Sequence, residues 1–295
     1  MVLLSGSERP NGGSGMHHSD SLEPKANRCK DLAPTVLAKL IEGEIIPRLL
    51  IAHRNGSGES VQQSPDHSQT IGQSEIATFA SLALSNEAHV LMRHVDVQLG
   101  FGFAVETILV ELLAPTARAL GIMWENDDVD FIDVTMGLWR LQEIVHELAA
   151  RSPGAVANRG GDRRALFCVM PGEQHSFGTI VVDECFRRQG WETRCITNLT
   201  EHELMTLVSE RWFEIIGLTV SCDHHIDELS RFIRALRQTS RNPHAGIMVG
   251  GALFVGNPGL AELIGADGTA SDARLAVEFA EKLVSGIAKS AAVAV

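Results

Sequence analysis

A glutamate, a histidine and a glycine stand at close spacing in the stretch Pro171-Gly-Glu-Gln-His-Ser-Phe-Gly178. Glu173 can reach one ring nitrogen of His175 while the other faces away, which is how proteins fix the tautomer of a metal-binding imidazole. Gly178 allows a ligand to approach the backbone closely. A lone loop histidine is more often a solvated or capping residue, so the surroundings decide. Before the loop, residues 165–170 (ALFCVM) form an apolar run that predicts a strand. After it, Ile180, Val181, Cys185 and Phe186 recur at helical spacing, and Gly190 sits where a helix would end. The loop therefore joins a strand to a helix, at the carboxyl edge where open α/β sheets bind ligands.

Two later strands end in small residues. Residues 214–219 (EIIGLT) run into Thr219-Val220-Ser221, and residues 245–251 (AGIMVGG) end in Gly250-Gly251. Forty residues separate Gly178 from Thr219, and 30 separate Thr219 from Gly250. Other candidate clusters carry less. Cys222-Asp-His-His225 puts adjacent ligands at a strand end without zinc spacing, so a solvated loop is the better reading. No nucleophile or paired carboxylate stands beside Glu173 and His175, so the chain is read as a binding protein and not an enzyme. The acidic run 125–130 reads as a solvated turn and helix N-terminus. His17 and His18 read as a solvated pair, and His146 needs no special role.

Composition narrows the class. A length of 295 residues accommodates two domains and a substantial core, and 44% hydrophobic with 21% charged residues is typical of a soluble globular protein. No stretch suggests a membrane span of roughly 20 apolar residues, and the N-terminus lacks a signal-peptide core, which points to a cytoplasmic protein. Cysteines 29, 168, 185, 195 and 222 are odd in number and form no CxxC, so reduced thiols are expected. A net charge of −12 argues against direct binding to nucleic acid and leaves action through another protein open.

Residues 1–30, rich in Ser, Gly, Asn, His and Pro, read as a disordered tail. Apolar spacing predicts helices over 31–52, 74–95, 97–120 and 129–149, with Pro115 bending the third. Residues 54–73 between the first two read as a flexible polar loop. Together 31–150 form a helical bundle, 151–164 a linker, and 165–295 a domain of alternating strands and helices. The expected fold is α plus α/β: an N-terminal four-helix bundle followed by a Rossmann-like, doubly wound parallel sheet.

Glu173-x-His175-x-x-Gly178, Thr219-x-Ser221 and Gly250-Gly251 together resemble the cobalamin-binding domain. Its pattern is Asp/Glu-x-His-x-x-Gly, then Ser/Thr-x-Leu, then Gly-Gly, at similar separations. The resemblance covers roughly residues 163–286, with Ser221 in place of the usual leucine and Thr219 in place of the commoner serine. A bundle ahead of such a domain is similar to the cap and cobalamin domain of methionine synthase and of CarH-type photoreceptors. Trp124 falls where CarH-like photoreceptors place a tryptophan over the upper ligand. Their Glu-His pair further on is replaced here by Val134 and Thr135, so that upper histidine is missing. The stretches TVLAKLIEGEIIPRLLIAHR, WENDDVDFIDVTMGLWRLQEIVHEL and PGEQHSFG together resemble the AerR/PpaA family, the cobalamin-binding antirepressors of photosynthetic proteobacteria.

That resemblance implies adenosyl-, methyl- or hydroxocobalamin as cofactor, with His175 as the lower axial ligand of cobalt in a base-off, His-on form. Glu173 would orient His175. Ser176, Gly178, Thr219, Ser221, Gly250 and Gly251 would line a slot for the displaced nucleotide tail, and Trp124 would cover the upper face. It also implies a light-responsive regulator that antagonises a DNA-binding repressor of the PpsR/CrtJ type. The alternative is a corrinoid methyl carrier of a methyltransferase system, which would share fold and cofactor. The expected long first helix and the 54–73 loop favour the regulator.

Overall fold

The computed structural model describes residues 70–151, 163–221 and 226–293. The expected tail 1–30, the expected helix 31–52, most of the 54–73 loop, most of the 151–164 linker and the Cys222–His225 cluster lie outside the described residues.

Among the described residues, four helices precede the sheet: α1 (Gln73–Ser85), α2 (Ala88–Gly100), α3 (Val105–Glu125) and α4 (Phe131–Arg151). Each buries a stripe at helical spacing, as with Ile76, Phe79, Ala80 and Ala83 on α1, or Val134, Leu141, Ile144, Val145 and Leu148 on α4. The single helix expected over 74–95 is in fact two. Ser81 and Ser85 turn their hydroxyls back onto carbonyls four residues earlier, at 3.1 and 2.7 Å, and Asn86 is extended. Arg140 of α4 then caps the freed carbonyls of Ala83 and Leu84 at 2.8 and 3.1 Å. The helix expected over 97–120 also breaks, because Gly102 takes a left-handed φ of 95° and stops α2.

Pro115 lies within α3, directly after a π-helical turn at Ile108–Leu113. The widened turn accommodates a residue that has no N–H to donate. By length and composition α3 could cross a membrane, contrary to the expectation that no stretch would suggest it. Its Ile108, Leu109, Leu112, Leu113 and Leu120 are fully buried in the bundle. Asp130 starts α4 by accepting from the Asp133 amide at 2.8 Å.

The second half alternates β1 (Arg164–Val169), α5 (Phe177–Arg188), β2 (Glu192–Ile196), α6 (Glu201–Glu210), β3 (Ile215–Thr219), α7 (Ile226–Thr239) and β4 (Gly246–Gly250). It closes with two short helices, α8 (Ala252–Gly256) and α9 (Gly259–Leu263), then β5 (Gly268–Thr269) and α10 (Ala273–Val293). All five strands are parallel, in the order β2-β1-β3-β4-β5. The strands alternate between two cores. Phe167, Ile215 and Met248 join one cluster with α5, α10 and the N-terminal helices, whereas Leu166, Ile216 and Ile247 join another with α6, α7, α8 and α9. The first cluster runs without a break from the bundle to the sheet. Ion pairs reinforce that joint: Arg188 of α5 meets Glu106 of α3 at 2.9 Å, and Arg274 of α10 meets Glu111 of α3 at 3.1 Å. In a regular helix two residues five apart point away from each other; the intervening π-turn turns Glu106 and Glu111 towards one side.

Candidate functional site

In a sheet of order 2-1-3-4-5, the chain leaves β1 towards one face and β3 towards the other. The two loops splay apart and leave a crevice at their shared edge. The Glu173–Gly178 loop follows β1 and Ser221 follows β3, so the topology places both at this switch point. The edge is held by main-chain bonds: the Met170 amide donates to Thr219 at 2.9 Å, and the Val220 amide to Gly250 at 2.9 Å.

Gly172 has a φ of 88° and turns the chain so that the Glu173 amide donates to Met170 at 2.8 Å. This tucks the Glu173 side chain, fully buried, beneath the loop. One carboxylate oxygen accepts from the amides of Gln174 and His175, at 2.9 and 3.0 Å, and from His175 Nδ1 at 2.5 Å. The other accepts from the Ser221 amide at 2.8 Å. Burial opposes the negative charge, but the His175 and Ser221 amides and the His175 ring outweigh it and pull the carboxyl down to about 2. Glu173 is therefore an anion at neutral pH, and an anion can only accept. Nδ1 must be the donor, so in the neutral ring the lone pair lies on Nε2, the atom suited to bind a metal. The His175 side chain is 60% exposed, so it is presented to the crevice mouth and not packed in the core.

The remaining edge residues make room. A Cβ added to Gly178 or Gly250 would meet nothing within 4 Å. Gly251 differs: with φ at 107°, its added Cβ would lie 2.2 Å from the Val220 carbonyl oxygen. Gly251 is thus required by the backbone itself, while Gly178 and Gly250 leave space beside the sheet. Ser176 precedes α5 without using its hydroxyl as a cap. Thr219 accepts a hydrogen bond from Thr179, a residue that sequence reasoning missed. The signal was a hydroxyl directly after Gly178, on a helix whose first turn faces the strand ends.

The structure joins Glu173, His175 and Ser221 by direct bonds and sets Thr219 beside Gly250 by register. Trp124 stands apart, in the last turn of α3 and 46% exposed. Among the described residues it shares no hydrogen bond with the loop. Ile122 on α3 and Phe131, Ile132, Met136 and Trp139 on α4 are exposed too. A cavity of about 300 Å³ lies elsewhere, between α4, α5 and β2, lined by His146, Asp183, Glu184 and Arg187 among others. It is part of the bundle joint and not of the crevice. Burial pushes the Asp183 carboxyl up there. Cys168, Cys185 and Cys195 are free thiols, each pushed by burial to about 12, so none is a reactive thiolate.

An exposed imidazole with a carboxylate-fixed tautomer, above small residues that leave an open slot, fits a corrinoid. Residues 163–278 match the family model described as B12 binding domain. A relative described as an uncharacterised 20.5 kDa protein in the bchF–crtJ intergenic region of Rhodobacter capsulatus is 25% identical over 173 residues, covering 59% of this chain and 90% of that protein. The monomethylamine corrinoid protein of Methanosarcina barkeri superposes with a TM-score of 0.57 at 15% identity, over 72% of this chain and 100% of its own. At that identity the likeness speaks for the fold: helices followed by a corrinoid-type Rossmann-like sheet. The sheet half carries the family match, and cobalamin is the cofactor.

Proposed function

We propose that this protein is a cobalamin-binding, light-responsive regulator that acts by binding a DNA-binding repressor of the PpsR/CrtJ type. The observation that carries the cofactor side is the Glu173–His175 pair at the switch point, with Nδ1 bonded at 2.5 Å to a buried carboxylate. His175 would hold the cobalt. Ser176, Gly178, Thr219, Ser221, Gly250 and Gly251 are the residues to border the nucleotide tail. The bound corrin would supply a light-absorbing group.

The regulatory side draws support from the relative in the bchF–crtJ intergenic region, whose description carries the name of that repressor type. The net charge of −12 suits a protein partner better than a nucleic-acid backbone. The exposed apolar side chains of α3 and α4, Trp124 among them, suit a lid over the upper face of the corrin. Loss of the upper ligand would then change what that lid touches, and a two-state joint between bundle and sheet would carry the change to the partner surface. The alternative, a corrinoid methyl carrier, draws on the fold shared with the Methanosarcina barkeri protein.

The test is a visible spectrum of the protein with adenosyl-, methyl- and hydroxocobalamin, for wild type and His175→Ala, in the dark and after illumination. The regulator reading expects a His175-dependent base-off spectrum that changes with light, together with light-dependent capture of the repressor. A spectrum and a repressor affinity that light leaves unchanged would overturn it in favour of the carrier.

A further inference from the structure

Thr179 sits in the first turn of α5 and is 1% exposed. Its hydroxyl lies 2.7 Å from the hydroxyl of Thr219, and the two are hydrogen-bonded. Thr219 closes β3, in register with Val169 on one side and Gly250 on the other. Alternation along the strand fixes where it points. Ile215 belongs to the core on the α5 face, Ile216 and Leu218 to the opposite core, so Thr219 faces α5. Met248 also belongs to the α5-face core, so the side-chain position of Gly250 faces the same way. A Cβ there would meet nothing within 4 Å. Thr219, Gly250 and the first turn of α5 therefore border one slot.

A hydroxyl offers one proton and two acceptor sites. With Thr179 as the donor of the pair, the Thr219 proton does not point back at Thr179 and is left for the slot. We propose that Thr179 is a positioning residue, which turns the Thr219 proton towards an acceptor nitrogen of a flat aromatic base. In cobalamin that nitrogen is the one released from cobalt when His175 takes its place, so the proposal rests on the cobalamin reading. Thr179 thereby selects corrinoids that carry a nucleotide base over those that lack one.

The experiment compares hydroxocobalamin with dicyanocobinamide, which has the corrin but no base, by spectral titration of the full chain. Thr179→Val keeps the shape and removes the hydroxyl; Thr179→Ser restores it. We expect Thr179→Val to bind hydroxocobalamin about tenfold more weakly, the scale of one neutral hydrogen bond, with cobinamide affinity and the His175-on spectrum unchanged. Thr179→Ser should bind both as wild type does. Equal loss for both ligands would overturn the proposal and make Thr179 a structural support, as would no loss for hydroxocobalamin. Should Thr179→Val not fold, Thr179→Cys, of similar size and a weaker donor, must show the same one-sided loss. Wild type that binds neither ligand would overturn the cobalamin reading itself; wild type that binds both while Thr179→Val is indifferent overturns only this inference.

Discussion

Replacing Glu173 with glutamine tests the centre of the site with almost no change in shape. Among the described residues the carboxylate accepts hydrogen bonds from the amides of Gln174, His175 and Ser221 and from His175 Nδ1. Glutamine has a single acceptor oxygen. Placed towards the His175 side, its amide group confronts the Ser221 N–H; flipped, it confronts three donors. At least one buried donor then faces another donor, at a cost of about 1–3 kcal/mol. The bonds that survive lose the strengthening that a charge gives. At about 1.4 kcal/mol per factor of ten, the expected loss of cobalamin affinity is roughly 10- to 100-fold, the range found when a carboxylate behind a metal-bound histidine is removed. Titration with hydroxocobalamin at neutral pH reads it directly, and the base-off signature should weaken at saturation. Ser221 contributes its main-chain amide, so a change of its side chain should leave that bond in place. If Glu173→Gln binds within about twofold of wild type with an unaltered spectrum, the carboxylate does not orient His175.

Acid denaturation should carry the signature of the same group. The Glu173 carboxyl titrates at an ordinary 4.5 when unfolded and about 2 when folded, so its stabilisation is complete above about 4.5 and vanishes as pH falls towards 2. The ceiling is about 3 kcal/mol, read as the pH dependence of the difference in urea midpoint between wild type and Glu173→Gln; a difference that stays flat between pH 2 and 5 would contradict it. Gly251→Ala, whose Cβ would strike the Val220 carbonyl, should cost about 2–4 kcal/mol in apo stability. Gly250→Ala meets only open space, so it should leave the melting temperature unchanged and lower cobalamin affinity. Glu106→Gln and Arg188→Leu should prove coupled by about 1 kcal/mol in a double-mutant cycle of stability, since the pair is largely buried at the bundle joint.

The sheet half was legible because buried parallel strands are continuous apolar runs, and residues 165–170, 214–219 and 245–251 announce themselves without any partner in view. The loop was legible because Glu173 and His175 interact over two residues. What could not be read depends on distant residues. The end of α1 is sealed by Arg140, 57 positions from the carbonyl of Ala83 that it caps. The turn of α3 before Pro115 widens against its surroundings, where the sequence alone suggested a bend. Thr179 looks like any residue of a helix until its partner 40 positions on is brought beside it. Trp124 is a different case, since a tryptophan on a bundle helix reads by default as core and here is nearly half exposed.

These features converge on how a signal at the cofactor could leave the site. Glu173 clamps two loops that the topology would otherwise let diverge, so His175 is held by an element with little freedom to move. The rigid side of the site is therefore the one that carries His175. The bundle side is held differently: a continuous apolar cluster anchors it to α5, with the largely buried pair Arg188–Glu106 and the more exposed pair Arg274–Glu111 beside it. The exposed pair repacks at smaller cost than a core does. A change above the corrin would thus be expressed as a shift of the bundle relative to α5, with His175 staying in place. Hydrogen exchange compared between dark and illuminated holoprotein distinguishes the two: increased exchange should appear in α3 and α4, and not in the loop at 171–178. Exchange that rises first in that loop would place the moving part below the cobalt and reverse the argument.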